Sequence, residues 1–289
     1  MQGIIIKGIG GFYYIKTENE VVECKARGKF RYLETPPMVG DKVEISIAKG
    51  KGVIEKILPR TSELFRPQVA NVTQAFVVFA LKNPDLNFEL LNKFLIQCEH
   101  KNITPVICFN KIDLVDEFEK EKIHETFKGT GYKIEYLNAK SGIGVNRLVS
   151  RLTDNITVLC GPSGAGKSTL LNKLLGKNHM ETGSISEKIG RGKHTTRHSE
   201  LIEVHSGLVV DTPGFSTLEL NYIQKDELKN YFPEFNDFDT HCKFRGCIHY
   251  KEPGCKVREA VDNGKITKQR YDFYIKYLQE ISERRNNRW

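Results

Sequence analysis

Residues 161–169 read GPSGAGKST, a GxxxxGKS pattern preceded by the apolar run ITVLC and followed by the leucine-rich run LLNKLLG. A glycine-rich turn between a strand and a helix presents backbone N–H groups and a helix N-terminus to an anion. On that reading Gly161, Pro162, Ser163, Gly164, Ala165 and Gly166 form a phosphate cradle, with Thr169 in the first helical turn. Lys167 would reach the β- and γ-phosphates and lend its charge to catalysis, and the Ser168 hydroxyl would hold Mg²⁺. The plain alternative is a structural turn. Strand before and helix after are the context that separates the two.

Asn110–Asp113 read NKID, after the apolar run PVICF. A carboxylate at Asp113 can accept hydrogen bonds from the ring N–H and exocyclic amine of guanine, a pair that adenine does not offer, while Asn110 and Lys111 brace that edge. The tetrapeptide alone is equally a helix cap; beside a phosphate loop it specifies guanine. NAKSG at 138–142 adds a second base loop through Ala139 and Lys140. DTPG at 211–214 places Asp211 to hold Mg²⁺ through water and Gly214 to donate its N–H to a γ-phosphate. The basic, glycine-rich stretch GRGKHTTR (190–197) offers Thr195 and Thr196 as further Mg²⁺-facing hydroxyls once it orders around a ligand. Separately, Cys242, Cys247, His249 and Cys255 form CxxxxCxHxxxxxC. Three thiolates and an imidazole make a closed tetrahedral set for one structural Zn²⁺, with no position left for reactive water. His241, beside Cys242, is a rival ligand, and an unmetallated thiol cluster is the other alternative.

Several kinds of element must position these groups. Residues 1–62 alternate with period two between Gly, Asn and Pro breaks, which predicts a small antiparallel barrel of the OB type. Lys7, Lys16, Lys25, Arg27, Lys29 and Arg31, with Phe12, Tyr13, Tyr14, Phe30 and Tyr32, could give it a basic face with stacking rings for RNA; the alternative is that the rings are core and the charges solvated. The stretch 58–67, with a proline near each end, reads as a linker. Across 63–219, apolar strands alternate with helical runs at 87–101 and 116–128, the pattern of a doubly wound α/β sheet. From 220 to 289 helical runs surround the Cys/His cluster, and Tyr271, Phe273, Tyr274 and Tyr277 read as core.

The 289 residues are 39% hydrophobic and 28% charged, which excludes a disordered chain and leaves room for two or three domains. A net charge of +8 favours a polyanionic partner, and it divides as +3, +2 and +3 over 1–65, 66–219 and 220–289, so no single tail supplies it. Neither a signal peptide nor a membrane span is predicted, so a cytoplasmic location is expected. Cys24, Cys98, Cys108 and Cys160 read as buried free thiols.

The order of the motifs is unusual. NKID and NAK precede the phosphate loop, the threonine loop and DTPG, whereas an ordinary small GTPase begins with the phosphate loop. Loops at the carboxyl ends of strands in one sheet keep their site when the old termini are joined and the chain is cut elsewhere, so the arrangement is a circular permutation. A β-rich N-terminal module, a permuted GTPase carrying NKID, GPSGAGKST, GRGKHTTR and DTPGF, and a C-terminal Cys/His module together resemble the bacterial ribosome small-subunit-dependent GTPase A family. The resemblance covers essentially the whole chain. It implies an assembly factor that binds the small (30S) ribosomal subunit and its rRNA late in maturation and hydrolyses GTP to GDP there, timing its own release. His241 falls outside the family's metal spacing, so the resemblance implies the other four as the ligands.

Phe215 stands where many GTPases carry a water-orienting glutamine, so slow intrinsic turnover is expected. His194 is the candidate water-positioning residue, and the family pattern points to the same position; the alternative makes it part of a basic loop touching rRNA. The tail RRNNRW could also touch rRNA. Nothing requires more than a monomer. A second functional class, a GTP-sensing RNA-binding module of another ribonucleoprotein with incidental hydrolysis, stays open.

Overall fold

A computed structural model describes residues 1–28, 30, 36–48, 51–176, 199–211 and 220–286. Strands β1 (Gln2–Ile9), β2 (Phe12–Lys16), β3 (Val21–Ala26), β4 (Lys42–Ala48) and β5 (Lys51–Ile57) close a barrel in the order β1-β2-β3-β5-β4. β3 and β5 run parallel and the other pairs antiparallel, which is the OB arrangement expected from the alternation. Ile5, Ile15, Cys24, Phe30, Val43, Ile45 and Ile54 fill the interior. Phe30 is therefore core and not a stacking ring. Three consecutive isoleucines in β1 bury both faces of the strand: Ile5 points into the barrel, while Ile4 and Ile6 pack against the core of the next unit.

Several cations of the expected basic face have acidic or aromatic partners. Lys7 is ion-paired with Glu200 and Lys16 with Glu203, so these two cations hold the barrel against the following unit. Arg27 pairs with Glu55, and the Lys25 ammonium lies over the Phe12 ring. Lys29, Arg31 and Tyr32 lie outside the described residues.

The expected linker is partly structured. β6 (Glu63–Phe65) and β7 (Gln68–Ala70) pair as a hairpin around Arg66–Pro67, because the proline falls in the turn and removes no ladder donor. Asp41, fully buried, anchors this junction: its carboxylate accepts from Arg60 Nε at 2.7 Å and from the Met38 N–H at 2.9 Å.

The central unit is a six-stranded sheet in the order β10-β9-β8-β11-β13-β12. Its strands are β8 (Gln74–Ala80), β9 (Thr104–Asn110), β10 (Lys133–Leu137), β11 (Ile156–Cys160), β12 (Leu201–Val204) and β13 (Gly207–Val210). All pairs are parallel except β12 with β13. Every residue of β8 and β11 is buried, as befits strands covered on both faces. Helices α1 (Phe88–His100), α2 (Glu117–Thr126), α3 (Val145–Ser150) and α4 (Lys167–Leu175) supply the covering layers, and two apolar clusters lie on the two sides. Counting from β11 through β13 and on to β8 turns the strand order into 6-5-4-1-3-2. The segment through α3 thus joins the old ends. The opened connection lies between β13 and β8, which is where the barrel enters and the C-terminal unit leaves.

That C-terminal unit contains α5 (Asn236–Asp239), α6 (Lys256–Asp262) and α7 (Lys268–Asn286) around its own core. Phe273, Tyr274 and Tyr277 are core, as the sequence reading expected. The unit docks on α1: Ile96 joins its core, and the buried Arg270 donates to both oxygens of the buried Glu234, at 2.7 and 3.1 Å, and to Asn92 Oδ1. Among the described residues no helix is long and apolar enough to cross a membrane.

Removing one partner of a buried ion pair leaves the other charge without compensation, at a cost of about 3–5 kcal/mol, whereas replacing both by apolar groups is close to neutral. Arg270→Ala is therefore expected to lower the urea midpoint of the C-terminal unit sharply, and Arg270→Met with Glu234→Leu to recover most of the loss. Equal midpoints for Arg270→Ala and the parent would show that the pair does not hold this interface.

Candidate nucleotide site and metal centre

The loops singled out in the sequence leave the carboxyl ends of neighbouring strands: NKID follows β9, NAKSG follows β10, the phosphate loop follows β11 and Asp211 ends β13. Asn110 joins three of them. Its buried amide donates from Nδ2 to the Ala165 carbonyl at 2.8 Å, and its Oδ1 accepts from the Ala139 N–H at 2.9 Å. One side chain so fixes the guanine loop against both the phosphate loop and the second base loop.

The phosphate loop is shaped by close approach. A Cβ at Gly161 would collide with the Val78 carbonyl, and one at Gly166 with the Asn110 amide; both residues also have positive φ, at 131° and 96°. Gly166 caps α4, so Lys167, Ser168 and Thr169 form the first helical turn and their N–H groups face the loop. The Lys167 ammonium is anchored by the Gly161 and Pro162 carbonyls at 2.8 and 2.7 Å. Burial lowers its pKa from the ordinary lysine value, the cost of holding a cation away from water. That cost is offset when an anion enters the loop. Ser163 and Gly164 are exposed at the loop tip, and Ala165 is buried beneath it.

Asp113 sits at the mouth of the site and its Oδ1 accepts from Asn138 Nδ2 at 2.8 Å. The Asn138 Oδ1 in turn accepts from the Lys140 and Ser141 N–H groups at 3.0 and 3.1 Å. Asn138 therefore orients the Asp113 carboxylate and closes its own loop. Sequence reasoning passed over it in favour of Ala139 and Lys140, although an Asn at the head of a tight loop is the signature of an Asx turn. A second missed contributor is the loop after β8: Lys111, in the left-handed conformation at φ 61°, donates to the Asn83 carbonyl, and Pro84 packs under Gly164.

Asp211 is half-buried, and β13 pairs in parallel with β11, so Asp211 follows one strand while the phosphate loop that leads to Ser168 in the first turn of α4 follows its neighbour. Hard oxygen donors of this kind suit Mg²⁺. His194, Thr195, Thr196, Gly214 and Phe215 lie outside the described residues.

In the C-terminal unit the ligand atoms of Cys242, Cys247, His249 and Cys255 all lie within 4.8 Å of one another. His249 is fully buried and turns Nδ1 toward the Cys242 and Cys255 sulfurs, at 3.7 and 3.4 Å. Its Nε2 lies 3.0 Å from Asp239 Oδ1, off the line of a good hydrogen bond, and Asp239 is held by Lys229 at 2.9 Å. An outer carboxylate on the far nitrogen is the usual way a ligating imidazole is oriented. Burial also keeps the His249 pKa low, which favours the neutral ring that can ligate. The same burial pushes the Cys247 thiol up to about 12, so thiolates here call for a cation among them. The donor set could hold one zinc ion. His241, with its Nδ1 beside Thr240 Oγ1, is not among the four. Tyr271 and Tyr274 tie this loop to α7 through the carbonyls of His249 and Ile248.

A glycine-rich phosphate loop, an NKID loop braced against it and a sheet whose strand order is cyclically shifted define a circularly permuted P-loop GTPase. The chain belongs to the RsgA GTPase family: residues 57–221 match that family and residues 2–54 match the RsgA N-terminal domain. It is 64% identical to the small ribosomal subunit biogenesis GTPase RsgA of Clostridium perfringens, over 99% of this chain and 100% of that one. Against the same protein of Clostridium beijerinckii it is 61% identical over the full length of both. Among solved structures it is similar to YloQ, described as a circularly permuted GTPase, with a TM-score of 0.84 and 37% identity over 98% of this chain and 95% of that one. YjeQ from Thermotoga maritima gives a TM-score of 0.83 and 38% identity over 97% and 98%.

Asn110→Ala removes two buried hydrogen bonds and leaves the Ala165 carbonyl and Ala139 N–H without these partners, at about 1–3 kcal/mol for each group so stranded. GDP affinity measured by calorimetry is expected to fall at least about tenfold while the circular dichroism spectrum is kept. Unaltered affinity would mean that the three loops are held together by something else.

Proposed function

We propose that this GTPase binds the small ribosomal subunit and hydrolyses GTP to time a late step of its maturation and its own release. The observation that carries the nucleotide half is the convergence of the guanine, phosphate and second base loops on Asn110. The partner half is supported by full-length identity to relatives named for small-subunit biogenesis, and by a net charge of +8 suited to a phosphate-rich surface. In this reading 1–62 and 220–289 are the RNA-facing units and 63–219 the switch. The protein acts as a monomer in the cytoplasm.

The residues act as follows. Asp113, oriented by Asn138, accepts the guanine N–H groups, and Lys111 and Ala139 pack the base edge. Gly161 to Gly166 and the first turn of α4 receive the phosphates, with Lys167 on the β- and γ-phosphate oxygens. Ser168 and Asp211, joined by Thr195 and Thr196, would hold Mg²⁺, which would draw charge off the transferring phosphoryl group. Gly214 donates its N–H to the γ-phosphate, and His194 positions the attacking water, since Phe215 cannot. Cys242, Cys247, His249 and Cys255 would hold zinc as a structural clamp, because four protein ligands leave no open position.

A GTPase assay with added small subunits, large subunits or free RNA discriminates the readings. Strong stimulation by small subunits alone is expected, and His194→Ala should lose about 10²-fold of that stimulated rate. Equal stimulation by large subunits or free RNA would favour an RNA-binding module of another ribonucleoprotein. A His194→Ala rate matching the parent on small subunits would remove His194 from the mechanism.

A further inference from the structure

The Mg²⁺-side carboxylate is tied to the N-terminal barrel through one residue. Asp211 and Glu200 continue the β12–β13 ladder: the Asp211 N–H donates to the Glu200 carbonyl at 2.9 Å, and the Glu200 N–H donates to Asp211 Oδ1 at 3.2 Å. Glu200 is gripped from its other side by β1. Lys7 and Glu200 form an antiparallel β-bridge, and Lys7 Nζ lies 2.8 Å from Glu200 Oε2. A bulge between Ile5 and Lys7 in β1 makes this possible, because it breaks the register with β2 just where the strand must face a second sheet. Ile4 and Ile6 on the same strand pack into the core of the GTPase unit, and Lys16 pairs with Glu203 further along β12. The barrel thereby covers the edge strand of the GTPase sheet, and among the described residues Lys7 on Glu200 is the covering contact that adjoins Asp211.

We propose that Glu200 is a positioning residue for Asp211 and that Lys7 completes it, so that the Mg²⁺ side of the GTPase site is set from the N-terminal barrel. Glu200 acts through Asp211. Its N–H fixes the Asp211 carboxylate, and its side chain and backbone are fixed by Lys7. A charge-assisted hydrogen bond to a carboxylate is directional, so a shift of Glu200 re-aims the Asp211 carboxylate that would serve Mg²⁺. The barrel gains through this line a means of changing metal affinity. A polyanion that competes for Lys7 would loosen it. The inference rests on the reading of Asp211 as the Mg²⁺-side carboxylate.

Two readouts test it on the full-length chain. Amide hydrogen exchange in the metal-free, nucleotide-free protein reports the Glu200 and Asp211 N–H groups directly, and the Mg²⁺ concentration that half-slows release of a fluorescent GDP reports metal affinity. Lys7→Ala is expected to speed exchange at both amides and to raise the half-effective Mg²⁺ about three- to fivefold, the range set by a partly exposed ion pair. Lys7→Glu with Glu200→Lys should restore both values, and Lys16→Ala, which loosens the same docking away from Asp211, should leave the Mg²⁺ curve in place. Asp211→Asn serves as the reference and should raise the Mg²⁺ requirement further than any of these. If it does not, the Asp211 reading falls and the proposal with it. If Asp211→Asn moves the curve but Lys7→Ala does not, or if Lys16→Ala moves it equally far, the positioning role is overturned while the Asp211 reading stands.

Discussion

The nucleotide site depends on one buried amide. Asn110 has three elements to satisfy it and to be satisfied by it: its own strand β9, the carbonyl of Ala165 in the phosphate loop and the N–H of Ala139 in the second base loop. A primary amide offers donor and acceptor on opposite edges of a rigid plane, so only a side chain of this kind spans two loops with fixed geometry. Burial raises the cost of leaving either edge unpaired. The loops are locked to each other as well as to the sheet, and Gly166 must lack a side chain because Asn110 occupies that space.

Cyclic shifting of the strand order leaves this lock intact because it acts between loops and not along the chain. What the shift changes is attachment. The cut between β13 and β8 lets the barrel feed the amino end of β8 and lets the C-terminal unit follow Asp211 at the carboxyl end of β13, beside the phosphate loop. Each then docks back on a different part of the GTPase unit: the barrel on β12 through β1, and the C-terminal unit on α1 through Arg270, Glu234 and Asn92. Apolar packing by Ile4, Ile6 and Ile96 supplies the non-directional part of both contacts, and ion pairs fix their register.

Much of the site was legible in the sequence because its chemistry is local. Phosphate loops, NKID and a Cys/His spacing of 14 residues each need a fixed order over a short stretch, and their shuffled order discloses the permutation. The barrel was legible from period-two alternation. Tertiary partners were not. Lys7 and Lys16 look like free cations for RNA until Glu200 and Glu203, nearly two hundred residues on, claim them. Phe30 looks like a stacking ring until the barrel closes over it. Asn138 looks subordinate to Ala139 and Lys140 until Asp113 is brought beside it. Pro67 suggests a linker, yet it occupies the turn of a hairpin whose strands flank it. In each case the deciding neighbour is distant in sequence, or the local signal permits two structures.

The claim on which all of this stands is that the converged loops read guanine. Calorimetric titration of the purified chain with GDP and with ADP, at equal Mg²⁺, measures it most directly. Two charge-assisted hydrogen bonds from guanine to Asp113, at about 1.5–3 kcal/mol each, predict a preference for GDP of at least about 10²-fold. Equal affinities for the two nucleotides would contradict the account.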